Sequence, residues 1–157
     1  MKKSLVIKSP NPIAGDHYGS SIFLAGSIEM GTAENWQERI EKDLENESVT
    51  IFNPRRDDWD SSWKQEIQNP QFYQQVTWEL DALERSDVIA MYFDPNTKSP
   101  ISLLELGLFA ATDNVVVYCP EGFWRKGNVD IVCQRAGVPV HTNYDTWLLN
   151  IKSKLFL

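Results

Sequence analysis

Short apolar runs alternate with amphipathic segments along most of the chain. Runs at 21–27, 49–52, 88–93 and 115–119 have the length and composition of buried strands. A fifth run, 138–141, contains a proline and suits the edge of a sheet. Between the runs, apolar residues recur every three or four positions and predict helices. The predicted helices span about 34–46, 70–85, 99–112, 128–136 and 144–154.

This alternation predicts an α/β fold in which helices cover both faces of a parallel sheet. We expect a flavodoxin-like, doubly wound sheet of five strands in the order 2-1-3-4-5. By length, the 157 residues correspond to a single domain. Residues 1–19 are expected to form an N-terminal arm or a short edge strand, because Pro10, Pro12 and Gly15 interrupt them.

A sheet of this kind binds its ligand beyond the carboxyl ends of the strands, where the strand order reverses. That point lies between the first and third predicted strands. Four polar loops that contain Gly or Pro would meet there. The site is therefore expected to be built from residues 25–32, 53–63, 94–105 and 119–128.

The composition narrows the choice of partners. Asp and Glu total 22 against 15 Lys and Arg, a net charge of -7, which argues against a nucleic-acid partner because phosphates require a basic face. Cys119 and Cys133 are isolated thiols that suit a reducing cytoplasm. Cys119 ends a predicted strand on the ligand side and could be a nucleophile, but a buried cysteine at such a place is more often inert packing. No apolar run is long enough to span a membrane, and the two histidines are too far apart to indicate a metal site.

One acidic residue interrupts an otherwise apolar helix. Residues 99–111 read SPISLLELGLFAA, and Glu105 is the only charged side chain between Lys98 and Asp113. Ser99 is expected to cap the helix that Pro100 begins. An ionised carboxylate in apolar surroundings is costly unless it is paired or opens to a cleft. Glu105 is therefore expected either at the wet edge of the helix or in a pocket.

Two other acidic residues are candidates to act with Glu105. Glu79 lies beside the apolar stripe of the preceding helix, and Asp94 follows the third predicted strand. Two carboxylates near an anomeric carbon can divide the work, one attacking the sugar and the other handling the proton of the leaving group. By pattern alone, a pair of acidic residues on two helices is more often solvated than catalytic.

The loops supply further candidates for substrate contact. Asn53 and Arg55 follow the second predicted strand, where they could meet a base or sugar, or could be a capping residue and a surface residue. Trp59 could stack on a base or cover the core. Gly26 and Ser27 would let a substrate approach the backbone closely.

Three stretches of the sequence resemble the nucleoside 2-deoxyribosyltransferase family, and in particular its deoxyribosyltransferase-like branch. The first is IFLAGS at 22–27 with Asn35-Trp36 beyond it, and the second is FNPRR at 52–56. The third and most specific joins WEL and SDVI, within 78–89, to SPISLLELG at 99–107. The resemblance implies transfer of 2-deoxyribose from a 2′-deoxynucleoside to a free nucleobase, without a cofactor.

The resemblance also implies roles for individual residues. Glu105, in its E-L-G segment, falls on the family nucleophile, which holds the sugar as a covalent ester; two inversions then retain configuration. Glu79 falls on a family acid. Family members often lend a residue to the site of a neighbouring subunit, so a homo-oligomer is expected, with Asn128 as the candidate for this late contact. The apolar segments 147–149 and 155–157 are expected at the interface.

Two positions depart from the family pattern. Ser99 stands where the family has an aspartate that passes a proton to the base, and Phe23 stands where it has a tyrosine that orients the nucleophile. Asp94 or Glu79 could replace the aspartate, and Tyr92 or Tyr73 the tyrosine. Two other functions therefore stay open. One is a hydrolase of the same N-glycosidic bond, and the other is a non-catalytic nucleoside or nucleotide sensor.

Overall fold

The computed structural model describes residues 3–15, 17–28 and 34–156. Residues 29–32 of the predicted site loop at 25–32 lie outside these residues. Within them, the strands are β1 (Leu5–Lys8), β2 (Ser20–Gly26), β3 (Val49–Asn53), β4 (Val88–Tyr92), β5 (Val115–Tyr118) and β6 (Val140–His141). The α-helices are α1 (Trp36–Asp43), α2 (Pro70–Arg85), α3 (Pro100–Phe109), α4 (Lys126–Ala136) and α5 (Tyr144–Leu155), and a 3-10 turn at Ala110–Thr112 follows α3.

The strands form one open parallel sheet in the order β1-β3-β2-β4-β5-β6. The predicted α/β architecture is confirmed, and the five predicted strands follow one another in the predicted order. The predicted strand number was one too small. β1 adds a sixth strand at the edge, where Leu5 lies opposite Thr50 of β3, so the N-terminal residues form the edge strand rather than a free arm.

The two faces of the sheet carry separate cores. Side chains of β2 alternate between them: Phe23 points to the face covered by α2, α3 and α4, and Ile22 points to the face covered by α1 and α5. The helices that carry Glu79 and Glu105 therefore share one face. Trp147 is fully buried in the other core.

The C-terminal helix fits the interface expectation only in part. Trp147 and Leu155 belong to the core, because α5 lies against the sheet, whereas Leu149 and Phe156 are exposed. None of the helices among the described residues is long and apolar enough to cross a bilayer.

The start of α2 agrees with the prediction, but its buried face agrees only in part. Asn69 caps the helix by accepting a hydrogen bond from the backbone N–H of Phe72. The apolar stripe predicted from the sequence consists of Phe72, Val76, Leu80 and Leu83; Leu83 is buried, and the other three are partly exposed. The buried side chains of the helix are Gln75, Trp78, Ala82 and Leu83. The spacing of apolar residues did not indicate this face, because one of its buried positions is the polar residue Gln75.

Gly26 lets β2 and β4 come together at their carboxyl ends. Its φ is 144°, and a Cβ atom there would lie 2.2 Å from the carbonyl oxygen of Tyr92. We expect Gly26→Ala to lower the free energy of unfolding by more than about 2 kcal/mol, because backbone would have to separate from backbone.

Urea unfolding followed by circular dichroism checks this expectation. Gly107→Ala is the matched control, since a Cβ at Gly107 meets nothing within 4 Å. Alanine in a helix is expected to be neutral or stabilising by up to about 1 kcal/mol. Equal unfolding midpoints for the two variants would contradict the packing described for Gly26.

Candidate active site

The candidate site lies at the carboxyl ends of the neighbouring strands β2 and β4. The strand order reverses between them: from β2 the chain continues to β3 on one side, and from β4 it continues to β5 on the other. Gly26 pairs with Tyr92 at the end of this ladder, and the backbone N–H of Ser27 donates to the Tyr92 carbonyl at 3.0 Å. The loops that follow these strands therefore start side by side. This is the position that the strand order predicts for a ligand.

Three hydroxyl groups form a buried cluster at this edge. The Oγ of Ser27 lies 2.8 Å from Oγ1 of Thr97 and 2.5 Å from Oγ of Ser99, and these last two lie 2.8 Å apart. The cluster is anchored to backbone at both ends: the N–H of Asp94 donates to Ser27, and Thr97 donates to the carbonyl of Asp94. The cluster ties the β4–α3 loop to the end of β2.

The prediction that the side chain of Ser99 caps α3 is wrong. It stands at the N-cap position of α3, but its side chain makes no capping hydrogen bond, because the hydroxyl is turned into the cluster. Its backbone is left-handed, with φ 47° and ψ 53°. That conformation costs a non-glycine residue about 1 kcal/mol, a strain that is typical of functional loops.

Asp94 organises the same loop through both carboxylate oxygens. Oδ2 accepts from the backbone N–H of Glu34, and Oδ1 accepts from the N–H of Asn96. The side chain is buried. Asp94 therefore holds the β4–α3 loop against the segment that precedes α1, and both of its oxygens are already engaged.

Glu105 is buried rather than at the wet edge of α3. Only 8% of the residue is exposed, and it shares the inward face with Ser102, Leu106 and Phe109. Burial raises the pKa of Glu105 to about 8, and the nearby charge of Glu79 contributes to the rise. The helix therefore holds a carboxyl group that titrates near neutral pH.

Glu79 of α2 is the partner of this group. Burial raises its pKa to about 7, although the Gln75 amide, which donates to Oε1 at 3.3 Å, opposes the rise. Because repulsion between two carboxylates is mutual, the two groups titrate as a pair. Between about pH 7 and 8 the pair holds about one proton, which lies mainly on Glu105, the group with the higher pKa. The arrangement that a nucleophile and an acid require, with Glu105 ionised and Glu79 protonated, is the less populated one.

The two tyrosines considered as replacements lie elsewhere. Phe23 is buried under the α2–α3 face, 6.4 Å from the Trp78 ring, and has no hydroxyl to offer. Tyr92 packs on the opposite face of the sheet, and its hydroxyl donates to Glu34. Tyr73 is more than half exposed near the start of α2. Neither phenol is therefore placed against Glu105.

The last residue of β3 and the residues that follow it contact α1. Nδ2 of Asn53 donates to Glu41 at 2.6 Å, and its Oδ1 accepts from the backbone N–H of Arg55. Nε of Arg55 donates to Gln37 at 3.2 Å. These contacts fix the direction in which the chain leaves the sheet.

Trp59 lies farther along this connection, at the surface. It is 43% exposed and packs edge-on against Trp63 at 5.0 Å. Arg56 covers the other ring, with its guanidinium carbon 4.9 Å from the centre of Trp63. Trp59 is thus a supported aromatic side chain that does not cover the core.

Asn128 is exposed on α4. It lines a groove of about 300 Å³ between α3 and α4, together with Leu103, Leu106, Gly107, Arg125, Val129 and Val132. Glu105 does not line this groove, so the fold of one chain does not bring Asn128 and Glu105 to one cavity. Cys119 is fully buried, and burial raises the pKa of its thiol to about 12, which makes it inert.

Comparison with known families agrees with this geometry. The family model described as nucleoside 2-deoxyribosyltransferase like matches residues 19–123. The chain belongs to this family. The matched region contains Glu79, Glu105 and the hydroxyl cluster, whereas Asn128 and the N-terminal strand lie outside it. No curated protein matches the sequence.

Gln75, which contacts Glu79, and Ser9, which contacts Gln75, were not predicted. Gln75 could have been found from its i, i+4 spacing to Glu79. Ser9 hydrogen-bonds to Gln75 across 66 positions of sequence, and no local pattern indicates such a contact.

The raised pKa of Glu105 predicts a pH-dependent gain in stability for Glu105→Gln. A folded-state pKa of about 8 against 4.5 for an ordinary glutamate means that wild type loses stability as pH rises from 4.5 through 8. The variant lacks the contribution of Glu105 to this loss. Its advantage should be small at pH 4.5 and reach the order of 5 kcal/mol above pH 8.

Thermal and urea unfolding between pH 4.5 and 9 measure this difference. Glu84→Gln, at an exposed position of α2, is the control and should follow wild type at every pH. A constant difference between Glu105→Gln and wild type would contradict a buried, protonated Glu105.

Proposed function

We propose that this protein transfers 2-deoxyribose between nucleobases, through a covalent deoxyribosyl ester on Glu105. The observation that supports the proposal best is the pair of carboxyl groups, buried Glu105 and partly buried Glu79, which shares about one proton beside the ligand-binding edge of the sheet. Membership of the nucleoside 2-deoxyribosyltransferase-like family supports the same chemistry.

The reactive form of the pair is the less populated one, in which the shared proton lies on Glu79. In the first step, an oxygen of ionised Glu105 attacks the anomeric carbon of a 2′-deoxynucleoside. The new C–O bond forms as the C–N bond breaks, and the electron pair of that bond leaves with the base. Protonated Glu79 gives its proton to the departing base. The products are a deoxyribosyl ester of Glu105, a free base and ionised Glu79.

In the second step, a nitrogen of another base attacks the anomeric carbon from the vacated side. The ester C–O bond breaks, and its electrons return to the Glu105 carboxylate. Glu79 accepts the proton that the incoming base loses. Each step inverts the anomeric carbon, so the overall reaction retains configuration.

Glu79 is the better proposal for the proton donor than Asp94 or Ser99. Both oxygens of Asp94 accept backbone N–H groups, and the Ser99 hydroxyl lies within hydrogen-bond distance of Ser27 and Thr97. A serine hydroxyl is also far too weak an acid to protonate a base at neutral pH. The carboxyl of Glu79 titrates in the useful range.

The remaining assignments belong to the same proposal. Gly26, Ser27 and Ser99 would lie along the sugar, while Asn53, Arg55 and Trp59 would face the base, with Asp94 holding the loop between them. Asn128 would enter the site of a neighbouring copy in a homo-oligomer. Such an exchange would serve nucleoside salvage in the cytoplasm.

An exchange assay tests the function. The protein is incubated with thymidine, deoxycytidine, deoxyadenosine or deoxyguanosine and a second free base, and chromatography detects the new nucleoside. We expect exchange by wild type, a loss of at least about 1000-fold in Glu105→Ala, and a loss of about 10- to 1000-fold in Glu79→Gln. Glu84→Gln should exchange at the wild-type rate.

Other outcomes of this assay would identify the alternatives. Free deoxyribose without exchange would indicate a hydrolase, and binding of nucleoside without turnover would indicate a sensor. Full activity of Glu105→Ala would refute the nucleophile.

The shared proton predicts a bell-shaped dependence of kcat/KM on pH. Exchange needs the pair with one proton, so activity should fall below an apparent pKa of about 7, where both carboxyls are protonated, and above about 8, where neither is. Initial rates between pH 5.5 and 9.5 measure the profile. Constant activity down to pH 5.5 would contradict a proton shared between these two groups.

A further inference from the structure

A chain of hydrogen bonds leads from the N-terminal segment to Glu79. The Oγ of Ser9 donates to Oε1 of Gln75 at 2.5 Å. The Nε2 of Gln75 donates to the carbonyl of Pro54 at 2.9 Å and to Oε1 of Glu79 at 3.3 Å. Ser9 and Gln75 are both buried, so these bonds form where water does not compete with them.

The partners of Gln75 fix which way its amide points. The carbonyl of Pro54 can only accept a hydrogen bond, so the end of the amide that faces it must be the nitrogen. The amide oxygen is then left for Ser9, which donates to it. Both hydrogens of Nε2 are engaged, one by Pro54 and one by Glu79. The donor that faces Glu79 is therefore held in place by two contacts that do not involve Glu79.

We propose that Gln75, supported by Ser9, is a positioning residue that holds Oε1 of Glu79 as a hydrogen-bond acceptor and leaves Oε2 to carry the transferable proton. This inference rests on the proposed function insofar as Glu79 acts on the leaving base. When the proton leaves Oε2, negative charge develops on the carboxylate, and its bond from Gln75 becomes charge-assisted and stronger. Gln75 thereby makes Glu79 a better acid in the step that breaks the C–N bond.

The inference extends the site beyond the region that the family model matches, which begins at residue 19. Three contacts fasten the segment after β1 across the carboxyl end of β3 and onto α2. The N–H of Ser9 donates to the carbonyl of Asn53, Nε1 of Trp78 donates to the carbonyl of Asn11 at 2.7 Å, and Ile13 packs on the core of this face. β1 and the residues after it therefore support Glu79 as well as completing the sheet.

The charged group that faces Glu79 from the neighbouring helix is Glu105 of α3, whose pKa it raises. On its own helix, Glu79 is contacted by the neutral amide of Gln75. Loss of the amide donor would remove a contact that favours the ionised form, and the protonated form of Glu79 would persist to higher pH.

A titration without substrate tests the positioning role. The protein is labelled with ¹³C at the glutamate side-chain carboxyls, and the Glu79 signal is assigned as the one missing from Glu79→Gln. We expect a higher titration midpoint for Glu79 in Gln75→Met than in wild type, and a smaller shift in the same direction in Ser9→Ala. Gln74→Met, an exposed neighbour on α2, should titrate like wild type.

Kinetics of the same variants give the second readout. We expect kcat for exchange to fall about 10- to 100-fold in Gln75→Met with KM within about threefold of wild type, and the pH optimum to move upward. Ser9→Ala should show a smaller fall with the same pattern. Gln74→Met should be unchanged.

The two readouts separate the possible failures. An unchanged Glu79 midpoint in both Gln75→Met and Ser9→Ala would overturn the inference, whatever the activity. A shifted midpoint in a protein that exchanges no deoxynucleoside would leave the hydrogen-bond chain in place and refute the proposed function instead.

Discussion

The cost of holding a carboxyl group among apolar side chains is the constraint on which this site depends. Glu105 lies in a helix with no other charge, and 8% of its surface is exposed. Among the described residues, no salt bridge to Glu105 offsets this cost. The fold instead places a second, partly buried carboxyl nearby, and the pair keeps a proton at a pH where exposed glutamates have lost theirs. The stability that is lost on ionisation and the reactivity we propose have the same origin.

The two-faced sheet explains how the pair is brought together. α2 and α3 lie on one face, so their inward side chains meet over the core that contains Phe23 and Leu106. The other face is filled by aromatic side chains, in which Tyr92 stacks on Trp36 at 4.9 Å. The hydroxyl cluster of Ser27, Thr97 and Ser99 lies between the strand ends and fixes the loop that leads into α3.

Much of this arrangement could be predicted from the sequence, because local periodicity determines it. Alternating apolar runs and amphipathic segments predicted the strands, the helices and their order. The isolation of Glu105 in its helix indicated that it was unusual.

What escaped prediction depends on contacts between distant residues. The capping role assigned to Ser99 was wrong because its hydroxyl is drawn to Ser27, 72 positions away. The buried face of α2 contains Gln75 because Ser9 and Pro54 satisfy its amide. For the N-terminal residues the sequence left an arm or an edge strand open, and the pairing with β3 makes Leu5–Lys8 a strand.

Direct detection of the covalent intermediate tests the central claim. The protein is mixed with a 2′-deoxynucleoside in the absence of an acceptor base, quenched in acid and digested, and its peptides are analysed by mass spectrometry. The account predicts a deoxyribosyl adduct on the peptide that contains Glu105, its loss in Glu105→Gln, and its disappearance when a free base is added before quenching. An adduct on another residue, or exchange by wild type with no adduct at any time, would contradict the assignment of Glu105 as the nucleophile.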